Sequence, residues 1–88
     1  MTTIWKYPLV INTVCRISMP EGAAILTVQI QDDIPCIWCS VNPDRQVGTR
    51  IIRIFSTGES LTKDGLYIGT FQAKGGPFVF HVFDCGYE

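Results

Sequence analysis

Cys36-Ile37-Trp38-Cys39 has the spacing by which one short segment offers two thiolates to a zinc ion, or closes and opens a redox disulfide. Zinc requires four ligands that converge tetrahedrally, so the backbone must turn between the two cysteines. The spacer Ile37-Trp38 and the flanking Pro35 and Ser40-Val41 supply no turn residue. An extended segment sends residues three apart to opposite faces, which separates the two sulfurs. The other candidate ligands are Cys15, His81 and Cys85, and no second Cys-x-x-Cys occurs. Thioredoxin-type chemistry further asks for a cysteine at a helix N-terminus in a βαβ context, and the sequence carries neither pattern. The residues therefore favour buried, reduced thiols over a metal or redox centre, and no metal or cofactor is expected.

His81 is the single histidine, in Phe78-Val79-Phe80-His81-Val82-Phe83. Strand alternation groups it with Val79 and Phe83, and nothing in the spacing brings it to a thiol as a nucleophile–base pair would need. The carboxylates Glu21, Asp32, Asp33, Asp44, Glu59, Asp64 and Asp84 fall mainly in turns, with no pair spaced for acid–base work. The sequence leads us to expect a protein that is not an enzyme.

A second constellation could bind rather than react. Arg50 and Arg53 lie just upstream of Ser56-Thr57-Gly58-Glu59-Ser60, a loop able to present backbone N–H groups to an anion. Trp5 and Trp38 offer rings on which a base could stack. Arg50, Arg53, Trp5, Trp38, Ser56, Thr57 and Gly58 are thus the candidate binding residues for a nucleotide-like ligand. Two features weigh against that reading. No Gly-x-x-x-x-Gly-Lys with a following helix is present, and a regular strand would send Arg50 and Arg53 to opposite faces.

The elements that must position these residues are strands. Hydrophobic residues recur at a period close to two, with no convincing helical repeat. Extended runs are predicted over Thr3–Leu9, Thr13–Met19, Ala24–Gln31, Ile34–Val41, Thr49–Phe55, Leu66–Ala73 and Pro77–Phe83. Ala24, Leu26, Val28 and Ile30 alternate with Ile25, Thr27, Gln29 and Gln31 as in a half-buried strand. Asp32-Asp33 is predicted to close a hairpin, and Lys74-Gly75-Gly76 a second one. Asn42–Gly48 and Ser56–Gly65 read as loops, and Asp84–Glu88 as a frayed tail. Six or seven short strands with little or no helix predict an all-β fold, a compact antiparallel β-sandwich or small barrel.

With 88 residues the chain fits a single β domain over 1–88. It is rich in apolar residues, 47% against 17% charged, including two Trp, three Tyr and five Phe. Such an excess suggests that some apolar surface faces a partner, including a second copy in a homodimer or higher homo-oligomer. Net charge is −1, and the basic residues are scattered from Lys6 to Lys74. Nucleic-acid binders cluster such charge to meet phosphates, so no nucleic-acid partner is expected. No apolar run approaches the roughly 20 residues that span a bilayer, so no membrane role is expected either. No secretory pattern opens the chain, which points to the cytoplasm and to cysteines kept reduced.

Several strings occur together: Thr-Ile-Trp-Lys-Tyr-Pro-Leu (3–9), Met-Pro-Glu-Gly-Ala (19–23), Pro-Cys-Ile-Trp (35–38), Thr-Arg-Ile-Ile-Arg-Ile-Phe-Ser-Thr-Gly (49–58), Tyr-Ile-Gly-Thr-Phe-Gln (67–72) and Phe-Val-Phe-His-Val-Phe (78–83). In this combination the chain resembles a family of small, uncharacterised proteins encoded by bacteriophages and prophages. The resemblance carries no catalytic residue over. It implies a setting, the cytoplasm of the infected bacterial host, where small phage proteins act as host-takeover or anti-defence factors by binding. The first expectation is a non-enzymatic inhibitor of a host or anti-phage defence protein complex. The alternative is an oligomeric sponge that sequesters a small nucleotide-like signalling ligand.

Overall fold

The computed structural model describes residues 1–11, 14–62, 65–73 and 75–88. Among them seven strands occur: β1 (Thr3–Pro8), β2 (Val14–Pro20), β3 (Ala24–Gln31), β4 (Ile34–Val41), β5 (Val47–Ser56), β6 (Leu66–Gln72) and β7 (Val79–Tyr87). They form a three-stranded sheet in the order β1-β4-β3 and a four-stranded sheet in the order β2-β5-β7-β6. Every pairing is antiparallel. The fold is the expected all-β class, realised as two sheets.

The β3–β4 hairpin turns on Asp32 and Asp33, which both take positive φ, at 50° and 67°. Two successive left-handed residues define the tight hairpin turn whose twist matches that of the strands, and aspartate tolerates that conformation better than most residues. The other predicted hairpin joins β6 to β7, although Lys74 of its turn lies outside the described residues, as do Thr13 of the second predicted run and Asp64 of the long loop.

Three expectations need correction. The tail is not frayed: β7 runs to Tyr87, and the Glu88 N–H donates to Thr49 O at 2.8 Å. Strand β5 also begins earlier than predicted, taking in Val47 and Gly48. On β3 the simple alternation fails, because the register against β4 shifts between Ile25 and Thr27. That bulge uses one extra residue and changes the phase of the strand. Leu26 is therefore 52% exposed, while Ile25 and Val28 turn toward the core.

The core lies between the sheets. Ile37, Cys39 and Val41 of β4 meet Ile52 and Ile54 of β5, Phe71 of β6 and Val82 of β7, with Leu9, Met19 and Ala23 from the strand ends and connections. Burying each large side chain of this kind contributes roughly 1.5–3 kcal/mol. One margin of the sandwich is closed by the approach of β3 to β6. Glycine makes that approach feasible: a Cβ on Gly69 would stand 2.7 Å from Val28 Cγ1. Gly69→Ala should lower unfolding stability in urea by about 1–3 kcal/mol through overpacking. Adding Val28→Ala should restore part of that loss, whereas independent losses would leave the contact unimportant.

Candidate functional site

Strand β5 faces two ways, and its alternation sets both candidate regions. Arg50, Ile52 and Ile54 point into the sandwich, while Ile51, Arg53 and Phe55 point to the outer face of the four-stranded sheet.

On the inner side Arg50 is only 8% exposed. Its Nε donates to Asp84 Oδ1 at 2.8 Å, and Nη2 donates to Asp84 Oδ2. Nη1 donates to Ala23 O at 2.7 Å, and the guanidinium lies 4.7 Å from the centre of the Tyr87 ring. Tyr87 OH in turn donates to Pro20 O and accepts the Ala23 N–H at 3.2 Å. The paired carboxylate holds Arg50 above its ordinary pKa despite burial. For Asp84 burial alone would raise the pKa, but the Arg50 hydrogen bonds, the Gly86 N–H and the Arg50 charge outweigh it and lower it.

Asp84 and Tyr87 are three residues apart and would leave a regular strand on opposite faces. A bulge brings them together: Arg50 pairs with Tyr87 and Ile52 with Asp84, so that Cys85 and Gly86 oppose Ile51 alone. Gly86 supplies the positive φ of 81° that this bulge needs, and its N–H donates to Asp84 Oδ1 at 3.0 Å. The Asp-Cys-Gly-Tyr string carried this signal, a glycine inside a strand pattern.

On the outer side a hollow of about 210 Å³ opens beneath the loop that follows β5. Phe55 and Phe83 meet edge to face at 5.8 Å, and Tyr67 and Phe83 at 5.6 Å. Ser56, Thr57, Gly58, Glu59 and Leu61 form the loop side. Glu59 Oε1 accepts both the Ser56 N–H at 3.0 Å and the Ser56 hydroxyl at 3.3 Å, which ties the loop down over Phe55. His81 is held at both ring nitrogens: Thr57 Oγ1 lies 2.8 Å from Nε2 and Thr70 Oγ1 lies 3.0 Å from Nδ1. Thr70 is itself hydrogen-bonded to Tyr67 OH. A neutral imidazole satisfies this array with one donor and one acceptor nitrogen. Thr57 and His81 thus have the spacing of a nucleophile and its base, but a neutral hydroxyl stands where a carboxylate would stabilise the imidazolium. The arrangement suits a positioned, polar-rimmed aromatic surface better than acyl transfer.

The seven predicted binding residues are not brought together. Ser56, Thr57 and Gly58 line the outer hollow with His81. Arg53 shares that face, in register with Phe83 and Val14, and its Nε is buried without a partner among the described residues. Arg50 is on the inner face and is occupied by Asp84 and Ala23. Trp5 and Trp38 belong to the other sheet, on β1 and β4. The partners of His81 escaped the sequence reading, since cross-strand register decides that Thr70 stands opposite it.

The Cys-x-x-Cys pair behaves as its alternation required. Cys39 pairs in register with Trp5 and Ile25 and joins the core, whereas Cys36 is aligned with Pro8 and Gln29 on the opposite face. Both are buried, and all four cysteines are free thiols. Burial pushes the Cys39 thiol up to about 11, with Arg50 pulling it down and Asp84 adding to the rise. Burial also raises Cys15, whose Sγ donates to Val10 O at 3.1 Å. Tyr7 OH is buried without a hydrogen-bond partner among the described residues, and burial, then Cys39 and Tyr87, raise its pKa. Among the described residues no cluster of three or more His, Cys, Asp or Glu is placed to hold a metal ion, and no helix is long and apolar enough to cross a membrane.

The chain belongs to the family described as Domain of unknown function (DUF7352), whose model matches residues 1–86. Comparison with curated proteins gives no match, and comparison with solved structures gives none.

Asp84→Asn should destabilise the protein by about 3–5 kcal/mol at neutral pH, because it leaves a buried guanidinium without its charge partner. The Asp84 pKa is depressed in the fold, so its contribution is complete above the ordinary value of 3.8 and is lost as pH falls through the lower native value. The gap between wild type and variant in chemical denaturation should therefore stay constant down to mildly acidic pH and shrink only in strong acid. Thiol labelling gives a second check. In native buffer Cys36 and Cys39 should resist a thiol reagent and react only on unfolding, and a chelator should leave the melting temperature unchanged.

Proposed function

We propose that this member of the family is a non-enzymatic binding protein whose partner is another protein, added as a strand along the free edge of β1. The exposure of that edge carries the reading. Strand β1 has β4 as its sheet neighbour on one side only. Successive residues Ile4 and Trp5, which point to opposite faces, are 59% and 41% exposed. A strand open on its edge and on both faces presents unpaired backbone N–H and C=O groups beside large apolar side chains, which is what strand addition uses. Leu26 and, in part, the half-buried Trp38 extend apolar surface across the same sheet. Tryptophan at such a place is a frequent energetic anchor of interfaces.

The resemblance to phage-encoded proteins supports a bacterial host or anti-phage defence complex as the partner, met in the cytoplasm of the infected cell. Occupying an edge strand of such a complex would inhibit it by blocking its own assembly. The same edge could join two copies of the chain, and size-exclusion mass measurement separates that outcome from capture of a foreign protein.

Trp5→Lys and Ile4→Lys test the reading, since both residues are exposed and the variants should fold like wild type by circular dichroism. Wild-type bait should enrich a defined host complex, and each lysine variant should weaken that capture by about tenfold or more. A bait that enriches nothing, or variants that capture as well as wild type, would refute it.

A further inference from the structure

The outer hollow on the four-stranded sheet lies away from β1 and is not explained by an edge-strand partner. We infer that it binds a neutral, planar heteroaromatic ring bearing an N–H donor, of the nucleobase or nucleoside class. Size sets the first limit. A dry cavity of about 150 Å³ accommodates benzene, while pockets for drug-sized ligands begin at about 300 Å³. At about 210 Å³ the open hollow has room for one fused ring system, with anything attached to that ring left outside it.

Lining chemistry sets the second limit. Phe83 and Tyr67 offer ring edges and faces, with Phe55 as the floor, only 1% exposed. At the rim stand Glu59, Thr57 and His81, whose hydrogen bonds fix their positions before any ligand arrives. A carboxylate there accepts an N–H donor and repels a phosphate. Neither Arg50 nor Arg53 contributes to the lining. The ligand expected from Arg50, Arg53 and the loop thus narrows to its base, and the phosphate half of that expectation has no counterpart in the hollow. This inference is independent of the protein-partner reading, because the two regions lie on different sheets and can fail separately.

The test is a titration of the isotope-labelled protein with adenine, adenosine, AMP and inorganic phosphate, followed by amide and aromatic NMR shifts. Adenine and adenosine should produce saturable shifts at millimolar concentration, confined to residues 55–61, Tyr67 and residues 81–83. AMP should bind no more tightly than adenosine, and phosphate alone should shift none of these signals. Tyr67 is 60% exposed, so Tyr67→Ala should leave the fold intact and weaken adenosine by about fivefold through the lost ring contact. Glu59→Gln keeps the Ser56 acceptor and should raise AMP relative to adenosine. Absence of saturable shifts, shifts centred elsewhere, tighter binding of AMP than of adenosine, or a Tyr67→Ala variant with undiminished affinity would each overturn the inference.

Discussion

A single buried guanidinium ties the four-stranded sheet to the connection that leads from it into the other sheet. Arg50 projects from β5, takes Asp84 of β7 through two of its nitrogens, and reaches Ala23 in the β2–β3 connection with the third. Tyr87 covers its face and binds the same connection at Pro20 and Ala23. Polar backbone groups where the chain passes between sheets must find partners once water is excluded. Here arginine and tyrosine side chains supply them. Apolar packing such as that of Gly69 on Val28 constrains how the sheets meet, and this set of directional bonds adds a constraint of its own. Once such a charge pair is buried, removing one member costs far more than the pair's net contribution, because the other charge is left uncompensated.

That commitment of Arg50 separates the surfaces available for recognition. On the inner face of β5 Arg50 is engaged by the junction, which itself borders an open hollow with Gly65, Leu66 and Cys85, and the outer face builds the aromatic hollow with β6 and β7. On the opposite sheet β1 stands open at its edge. Two chemically distinct surfaces thus share a chain of 88 residues: an apolar strand edge suited to a protein, and a polar-rimmed hollow suited to a small ring. The loop after β5 contributes only to the second, and its anchoring by Glu59 keeps that hollow formed without a ligand.

Much of this was legible from local pattern. Period-two hydrophobicity placed the strands, Asp32-Asp33 placed a hairpin turn, and the same alternation put Cys36 and Cys39 on opposite faces and Arg50 opposite Arg53. His81 was correctly grouped with Phe83. What local pattern could not give is register, and register decides who meets whom. Thr70 reaches His81 through the pairing of β6 with β7, whereas Trp38, grouped with Thr57 as a binding candidate, lies on β4 in the other sheet. The bulge at Leu26 puts Ile25 and Val28 on one face, and the bulge at Cys85-Gly86 puts Asp84 and Tyr87 on one face, pairings that strict alternation forbids. Strict alternation had grouped Leu26 with Val28, and the Asp84–Glu88 segment, read as a frayed tail, is strand through Tyr87. Arg50 invited reading as a ligand residue because its charge partner Asp84 lies 34 positions away and next to a phase change.

The same separation has a consequence during synthesis. A ribosome adds about 5–20 residues per second, so on the order of seconds elapse between the emergence of Arg50 and that of Asp84. During that interval the guanidinium lacks its carboxylate partner, β5 has β2 as its only sheet neighbour so far translated, and Ile52 and Ile54 have no β7 to cover them. The β1-β4-β3 sheet, by contrast, is complete in sequence once Val41 has appeared. Synthesis thus completes the strands of one sheet well before those of the other, and the apolar inner face of β5 is the last to gain its cover.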